Sequence, residues 1–398
     1  REKPTLLVLE TRCEALAKSD EVTERGRDDA QDRSGAEAEA AAGNLTGPLP
    51  PARWARPRAP LQLTTAQHEA LATAAEAILR RLLVEENYDS VNNFISLFDA
   101  FDSSTDSLYD VFRSYSPPIR AKKHTCVGLA IELMRKWRVL NKKFPGFAAA
   151  TALQSCEEAV ENVREYVLSG EGPEAVVAAE KEHVMVGVQV VVDGRAGVML
   201  ADPGYHVARI VTVMADRAFP HTGWFSQSDE AHCRKEYHYA FNQLNSSYVE
   251  WQERETRGQA LTTKTSVVYV ARPYLDGVNV TERRNLVYNF RSLLARDQKG
   301  HLVAGLYFPV GARLDAQFTL FADSPAEYRK TKYKFSLFAH PEQVPPALLE
   351  EVSLCNNLMN YEEGELLRII CKLARVLACH SFIEQMLEIN DDICRICL

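Results

Sequence analysis

The stretch EHVMVGVQVVVDGRAGVMLADPGY (residues 182–205) places two runs of aliphatic, largely β-branched residues on either side of Asp193-Gly194. An Asp-Gly pair between such runs is a strong signal for a β-hairpin. The first run begins at His183, and the second ends at Asp202-Pro203-Gly204, where the proline stops the strand. The stretch therefore predicts two antiparallel strands with a histidine at the start and an aspartate at the end.

The register of this hairpin determines whether His183 and Asp202 can meet. A tight loop at Gly194-Arg195 would pair Gly187 with Asp202 and would place His183 opposite His206. Four residues span about 13 Å along a flat strand, which is too far for a hydrogen bond. Because both residues keep the same face, a bulge or a strong twist in the loop would have to bring them together. Without it, His206 becomes the competing residue.

A cysteine lies upstream in AKKHTCVGLAIELMRKW (residues 121–137). Apolar residues recur at helical spacing after it, and Thr125 is a suitable N-cap, so Cys126 is predicted in the first turn of a helix. The free amides and the dipole at that end stabilise a thiolate, and they could also face a developing oxyanion. Lys122, Lys123 and His124 are expected to add positive potential. Taken alone, the segment also fits a cysteine that only fills space.

Cysteine, histidine and aspartate in this order could supply a nucleophile, its base and the group that orients the base. The segments TCVGLAIEL and HVMVGVQVVVDGRAGVMLADPGY resemble the transglutaminase-like, papain-type superfamily, which includes transglutaminases, related thiol proteases and amidases, and arylamine N-acetyltransferases. The resemblance covers about residues 110–215. It implies an α+β fold in which a helix carries the cysteine against an antiparallel sheet. It also implies that Cys126 is the nucleophile, His183 the general base and acid, and Asp202 the orienting carboxylate. The hairpin register leaves His206 as the alternative base.

Departures from the pattern of that superfamily bear on the reaction. The chain has KKHTC where the acetyltransferases carry Arg-Gly-Gly before their cysteine, and it contains no glycine-rich phosphate loop that could hold coenzyme A. Transglutaminases often use an upstream tryptophan as the oxyanion donor. The only tryptophan before Cys126 is Trp54, which falls in a predicted tail, so the backbone N–H of Cys126 is the candidate donor. We therefore expect cleavage or transfer of an amide or isopeptide acyl group without a cofactor. The alternatives are an arylamine N-acetyltransferase-like activity that uses acetyl-coenzyme A and an inactive scaffold that binds proteins.

Composition and pattern suggest four segments. Residues 1–62 are rich in Ala, Glu, Arg and Pro and are expected to be a disordered tail. Residues 63–240 would form the catalytic core, residues 241–340 a β-rich extension, and residues 341–398 C-terminal helices.

The formal net charge of −8 argues against nucleic-acid binding, which needs clustered cations. Neither a leader nor an apolar run near the roughly 20 residues of a membrane helix is evident. Nine scattered cysteines fit reduced thiols, so a cytoplasmic location is expected. The expected partner is a protein or peptide substrate, not a membrane, and the oligomeric state does not follow from the sequence.

Three other features carry weaker hypotheses. CRIC (residues 394–397) has the spacing of half a zinc site, but thiols in a helical core are the favoured interpretation, and no metal site is predicted. Residues 218–239 suggest a loop over the Cys126 cleft. The arginines of residues 255–274 and 281–300 could border a cleft for an acidic substrate, although surface ion pairs are commoner.

Overall fold

The computed structural model describes residues 47–169, 181–230, 233–311, 316–324 and 328–396. Within these residues, helices and two mainly antiparallel sheets form an α+β architecture. The sequence predicts this fold class.

Fourteen strands lie in the described residues. In chain order they are β1 (Leu61–Leu63), β2 (Tyr88–Asp89), β3 (Thr151–Glu157), β4 (His183–Val192), β5 (Arg195–Ala201), β6 (Val211–Met214), β7 (Phe225–Glu230), β8 (Cys233–Phe241), β9 (Tyr248–Arg257), β10 (Ala260–Tyr269), β11 (Phe290–Arg296), β12 (Leu302–Pro309), β13 (Gln317–Asp323) and β14 (Tyr328–Lys334).

The α-helices of the described residues lie before β4, between β10 and β11, and after β14. They are α1 (Thr65–Glu85), α2 (Val91–Asp102), α3 (Leu108–Ser114), α4 (Cys126–Trp137), α5 (Phe147–Ala150), α6 (Val163–Leu168), α7 (Arg283–Val287), α8 (Pro346–Leu358), α9 (Glu365–Ala378) and α10 (His380–Ile396). A π-helical turn, Gly277–Glu282, leads into α7.

The first sheet has nine strands in the order β6-β5-β4-β3-β10-β9-β8-β7, with β1 added beside β4. Every pairing is antiparallel except the parallel pairing of β1 with β4, and the sheet curls into a half-barrel. β3 accompanies β4 only as far as Val188, and β1 continues the ladder along Val190–Val192. The almost uninterrupted apolar run of β4 is typical of a strand that is covered on both faces.

Five hydrophobic clusters lie in the described part of the chain, and two of them are the largest. In the first, the valines of β4 pack against leucines of α1 and α4, among them Leu71, Leu79, Leu129 and Leu133. In the second, α2, α3, α8, α9 and α10 cover one face of a five-stranded sheet with the order β14-β13-β12-β11-β2. β2 and β11 face the first sheet across the pocket described below.

The predicted segment boundaries differ from this arrangement. Residues 248–269, which were assigned to a β-rich extension, complete the first sheet as β9 and β10. The C-terminal helices share a hydrophobic cluster with α2 and α3 from the predicted catalytic core. Hydrophobic contacts between segments distant in the chain determine this division, and local composition does not encode them.

The predicted disordered tail also needs correction where the structure describes it. Residues 1–46 lie outside the described residues, but Arg53 pairs with Asp276 at 2.7 Å, and Leu61–Leu63 forms β1. Trp54 lies 5.3 Å from the ring of Tyr274 and donates from Nε1 to Ser155 Oγ at 3.2 Å. Its indole N–H is therefore used in packing this segment onto the sheet.

Candidate active site

Cys126 is the first residue of α4. The hydroxyl of Thr125 accepts a hydrogen bond from the amide of Val127 at 3.3 Å and donates one to the buried carboxyl of Glu282. This cap holds the start of the helix, where unpaired amides and the dipole favour a negative charge on the sulfur. Cys126 is 4% exposed, so only a narrow path leads to it.

The positive potential expected from KKHT is only partly present. His124 is buried, and this burial lowers the pKa of its ring to about 4, so the ring is neutral near pH 7. Lys123 lies 3.7 Å from Glu365. A charge that assists Cys126 must therefore come from elsewhere.

His183, the first residue of β4, provides such a charge. Its Nε2 lies 2.9 Å from Oδ2 of Asp202, and the adjacent thiol of Cys126 is among the groups that raise the pKa of its ring. Since one ring nitrogen is bound to Asp202, Nδ1 is the nitrogen that remains for the sulfur. Burial alone would lower the pKa of His183, but the charge of Asp202, the hydrogen bond to Asp202 and the thiol of Cys126 outweigh it and raise the pKa well above its usual range.

The hairpin reaches this geometry through a turn one residue earlier than the one assumed above. Asp193 and Gly194 form the loop with φ of 47° and 79°, the two positive values that a type I′ turn requires. Val192 then pairs with Arg195 and Gly187 with Leu200, without a register shift. The same register places Asp202 beside position 185, two residues from His183 or about 7 Å along the strand, which two side chains can span.

The turn after β5 holds the carboxylate of Asp202 and packs against the side chain of Cys126. The amide of Tyr205 donates to Oδ1 of Asp202 at 3.0 Å, which leaves Oδ2 for His183. A Cβ on Gly204 would lie 2.7 Å from Cβ of Cys126 and 3.0 Å from Cε1 of His183. Glycine is therefore needed at this position because the turn packs directly onto both side chains.

His206, the alternative base, lies in the same pocket but has a different partner. Arg296 donates from Nη1 to Nδ1 of His206 at 3.0 Å and to the carbonyl of Pro203 at 2.7 Å. Burial and the adjacent positive charge of Arg296 hold the pKa of His206 well below its usual range. The thiol of Cys126 contributes to the pKa shift of His183 and not to that of His206.

Cys126, His183 and His206 line a pocket between the two sheets, with about 810 Å³ of free space, including open solvent at its mouth. One wall is aromatic and includes Tyr88, Tyr288 and Phe290. The opposite wall comes from β7 and β8 and carries Ser228 and Lys235. Within residues 218–239, which the sequence suggested as a loop, Phe225–Glu230 and the first part of Cys233–Phe241 are strands that line the cleft, whereas residues 218–224 are not in a strand.

Sequence reasoning did not single out Ser228, Lys235 or Arg296 individually. The arginine-rich stretch of residues 281–300 was flagged as a cleft border, and its Arg296 does hold a pocket residue. Arg283 and Arg284, by contrast, bind the carbonyl of Phe112 and the side chain of Asn390.

No group of three or more metal-ligating side chains occurs in the ranges that the structure describes. Cys397 of the CRIC motif lies outside them. In the same ranges, no helix combines the length and apolar character needed to cross a membrane. No family model matches the chain, and neither does any curated protein or solved structure.

Proposed function

We propose that this protein is a thiol acyl-transfer enzyme of transglutaminase-like, papain-type fold, in which Cys126 takes the acyl group from an amide or isopeptide. The observation that carries the proposal is that His183, hydrogen-bonded to Asp202, and Cys126 line the same pocket and both pack against Gly204. A cysteine paired with a buried cationic imidazole is the arrangement that activates thiol nucleophiles.

The reaction would proceed in two balanced steps. The thiolate of Cys126 forms a bond to the carbonyl carbon, and the carbon–nitrogen bond breaks as His183 gives its proton to the departing amine. Water then attacks the thioester while His183 takes one of its protons, which releases a carboxylic acid and restores the thiol; an amine in place of water would give transfer. Asp202 keeps the ring oriented throughout.

The helix that carries Cys126 would also supply the oxyanion donor. The amide of Cys126 belongs to the first turn of α4, where amides have no partner within the helix. An oxyanion formed beside the sulfur would lie close to this amide and to the positive end of the dipole. The acyl group itself must be slender, because Cys126 is 4% exposed at the base of the pocket.

Selective alkylation tests the proposal. We expect iodoacetamide to label Cys126 faster than the other cysteines, as located by peptide mass mapping, and we expect His183→Ala to slow this labelling about a hundredfold. Cys126→Ser identifies the labelled site. The matched internal reference is Cys355, whose pKa burial raises to about 12. Labelling of Cys126 no faster than that of Cys355 would contradict the proposal and favour an inactive scaffold.

The acetyltransferase alternative is separated by its coenzyme. A rise in melting temperature on addition of acetyl-coenzyme A, followed by a mass gain of one acetyl group on Cys126, would support that alternative. We expect neither a shift nor an acetyl adduct, because the proposed acyl donor is an amide.

A further inference from the structure

The wall of the pocket formed by β7, β8 and the turn after β5 differs in chemistry from the aromatic wall opposite. His206, Ser228 and Lys235 are among the polar side chains that line it, together with Cys126 and His183. None of these three has a role in the proposed acyl transfer.

The contact with Arg296 determines which nitrogen of His206 carries the proton. A guanidinium group can only donate, so Nδ1 of His206, at 3.0 Å from Nη1, is the acceptor. A neutral imidazole has one protonated nitrogen, and here it must be Nε2. The ring therefore offers an N–H donor and is unable to act as the base at that nitrogen.

Ser228 provides the second polar group. It is buried, with 5% of its surface exposed, and its hydroxyl has no hydrogen-bond partner among the residues that the structure describes. A bulge between Ser226 and Ser228 sets its position in β7. Gln227, within the same bulge, donates to the carbonyl of His206 at 3.3 Å and so ties the two parts of the wall together. Buried hydroxyls are nearly always hydrogen-bonded, so a bound molecule is the natural partner.

The positive charge of Lys235 is already paired, so this wall does not favour an anionic ligand. Its Nζ lies 3.1 Å from Glu253 and 2.9 Å from Glu255, so two carboxylates already balance its charge. The wall thus presents hydrogen-bond donors without a free positive charge. Such a surface suits the oxygen of a neutral carbonyl better than a carboxylate.

We infer that His206 and Ser228 form a second carbonyl-binding subsite, and that the acyl substrate carries a neutral carbonyl beyond the one that Cys126 attacks. Peptide-like acyl groups have such a carbonyl, whereas a plain acetyl group does not. The inference rests on the proposed function, since it concerns the acyl group that reaches Cys126.

Acyl donors of matched length test the subsite. The probes are thioesters of pentanoic acid, 4-oxopentanoic acid and N-acetylglycine, which have acyl chains of the same length, and acylation of Cys126 is followed by intact-protein mass. Each rate is divided by the rate of the same thioester with N-acetylcysteine, which removes differences in intrinsic reactivity. We expect each carbonyl-bearing donor to react about tenfold faster than the pentanoyl donor.

Variants assign the preference to the two side chains. Ser228→Ala and His206→Phe should each reduce the preference severalfold, measured as the ratio of the carbonyl-bearing rate to the pentanoyl rate of the same variant. Ser336→Ala is the matched control, because Ser336 has an exposed side chain and does not line the pocket. It should leave the preference unchanged.

The outcomes separate this inference from the proposed function. If no thioester acylates Cys126, the proposed function fails; if all three do so at equal normalised rates, the subsite alone is refuted. An independent measurement is the nitrogen-15 spectrum of the histidines, with His206 assigned by its loss in His206→Gln. We expect the Nε2-protonated neutral form at pH 7, and an imidazolium or Nδ1-protonated form would overturn the donor assignment.

Discussion

Asp202 accepts a hydrogen bond from Nε2 of His183 at 2.9 Å, although the two residues are offset by two positions in the register of β4 and β5. The bond is diagonal across the hairpin and forms where Pro203 has already ended the ladder. Asp202 lies just beyond the end of β5, and the hydrogen bond from the amide of Tyr205 holds its side chain in the turn. The residue at which β5 ends is therefore as important to the site as the strand itself.

Replacing Asp202 with Asn should remove the charge that opposes the desolvation of His183. The pKa of His183 should then fall, because burial lowers it and the carboxylate no longer raises it. We expect alkylation of Cys126 at pH 6 to slow at least about tenfold and to recover toward the wild-type rate at pH 9. Rates of iodoacetamide labelling across this range measure the effect. Asp216→Asn, which alters a surface pair with Arg195, is the control; an identical pH profile for Asp202→Asn and wild type would contradict the role of Asp202.

Gly204→Ala should separate Cys126 from His183. The new Cβ would lie 2.7 Å from Cβ of Cys126, so the turn must move, and the cost is on the order of 1–3 kcal/mol. We expect the melting temperature to fall and the preferential labelling of Cys126 to be lost. Gly223→Ala is the control, since nothing lies within 4 Å of the added Cβ and φ is not positive there. Full labelling in a folded Gly204→Ala protein would show that the contact is not needed.

The sequence predicted the elements of the site better than their spacing. Two features could be predicted because they depend on neighbouring residues: the β-hairpin and the capped helix. The predicted separation of about 13 Å between His183 and Asp202 was wrong because the loop was placed at Gly194-Arg195. Reading Asp193-Gly194 as the type I′ pair, each residue with positive φ, shifts the register by two and removes the discrepancy.

Contacts between segments that are distant in the chain could not be predicted from the sequence pattern. Arg296 binds the turn after β5 from a strand some ninety positions later, and no local signal marks that partner. Trp54 lies in a Pro- and Arg-rich stretch that resembles a disordered tail, yet it finds an aromatic partner in Tyr274. The transglutaminase-like fold itself remains a proposal.

Arg296 should act as a positioning residue. It donates to the carbonyls of Pro203 and Glu86 and to His206, so it ties the turn that carries Asp202 to β11. Arg296→Met would leave buried acceptors unpaired, at about 1–3 kcal/mol for each. We expect a lower melting temperature and slower labelling of Cys126 even well below that temperature, with partial rescue of the labelling rate by Arg296→Lys.

Its control is Arg375→Met, which breaks an exposed pair with Asp102 and should change the free energy of unfolding by less than about 1 kcal/mol. If Arg296→Met lowered stability but left the labelling rate and its pH profile intact, the residue would be structural only.

Glu282 should make the stability of the protein depend on pH. Burial raises the pKa of this carboxyl from 4.5 to about 7, although hydrogen bonds from Thr125 and Asn93 oppose the change. Between these pH values the folded protein keeps a proton that the unfolded chain releases, so stability should fall as the pH rises from about 4.5 to about 7. Glu282→Gln removes this linkage. Its free energy of unfolding relative to wild type should therefore increase across that window, by up to about 3 kcal/mol, and stay constant above it.

Urea titrations at several pH values measure the difference, and Glu350→Gln on the exposed face of α8 is the control. A difference that does not change with pH would mean that Glu282 is ionised when folded, and the start of α4 would then carry a negative charge beside the sulfur.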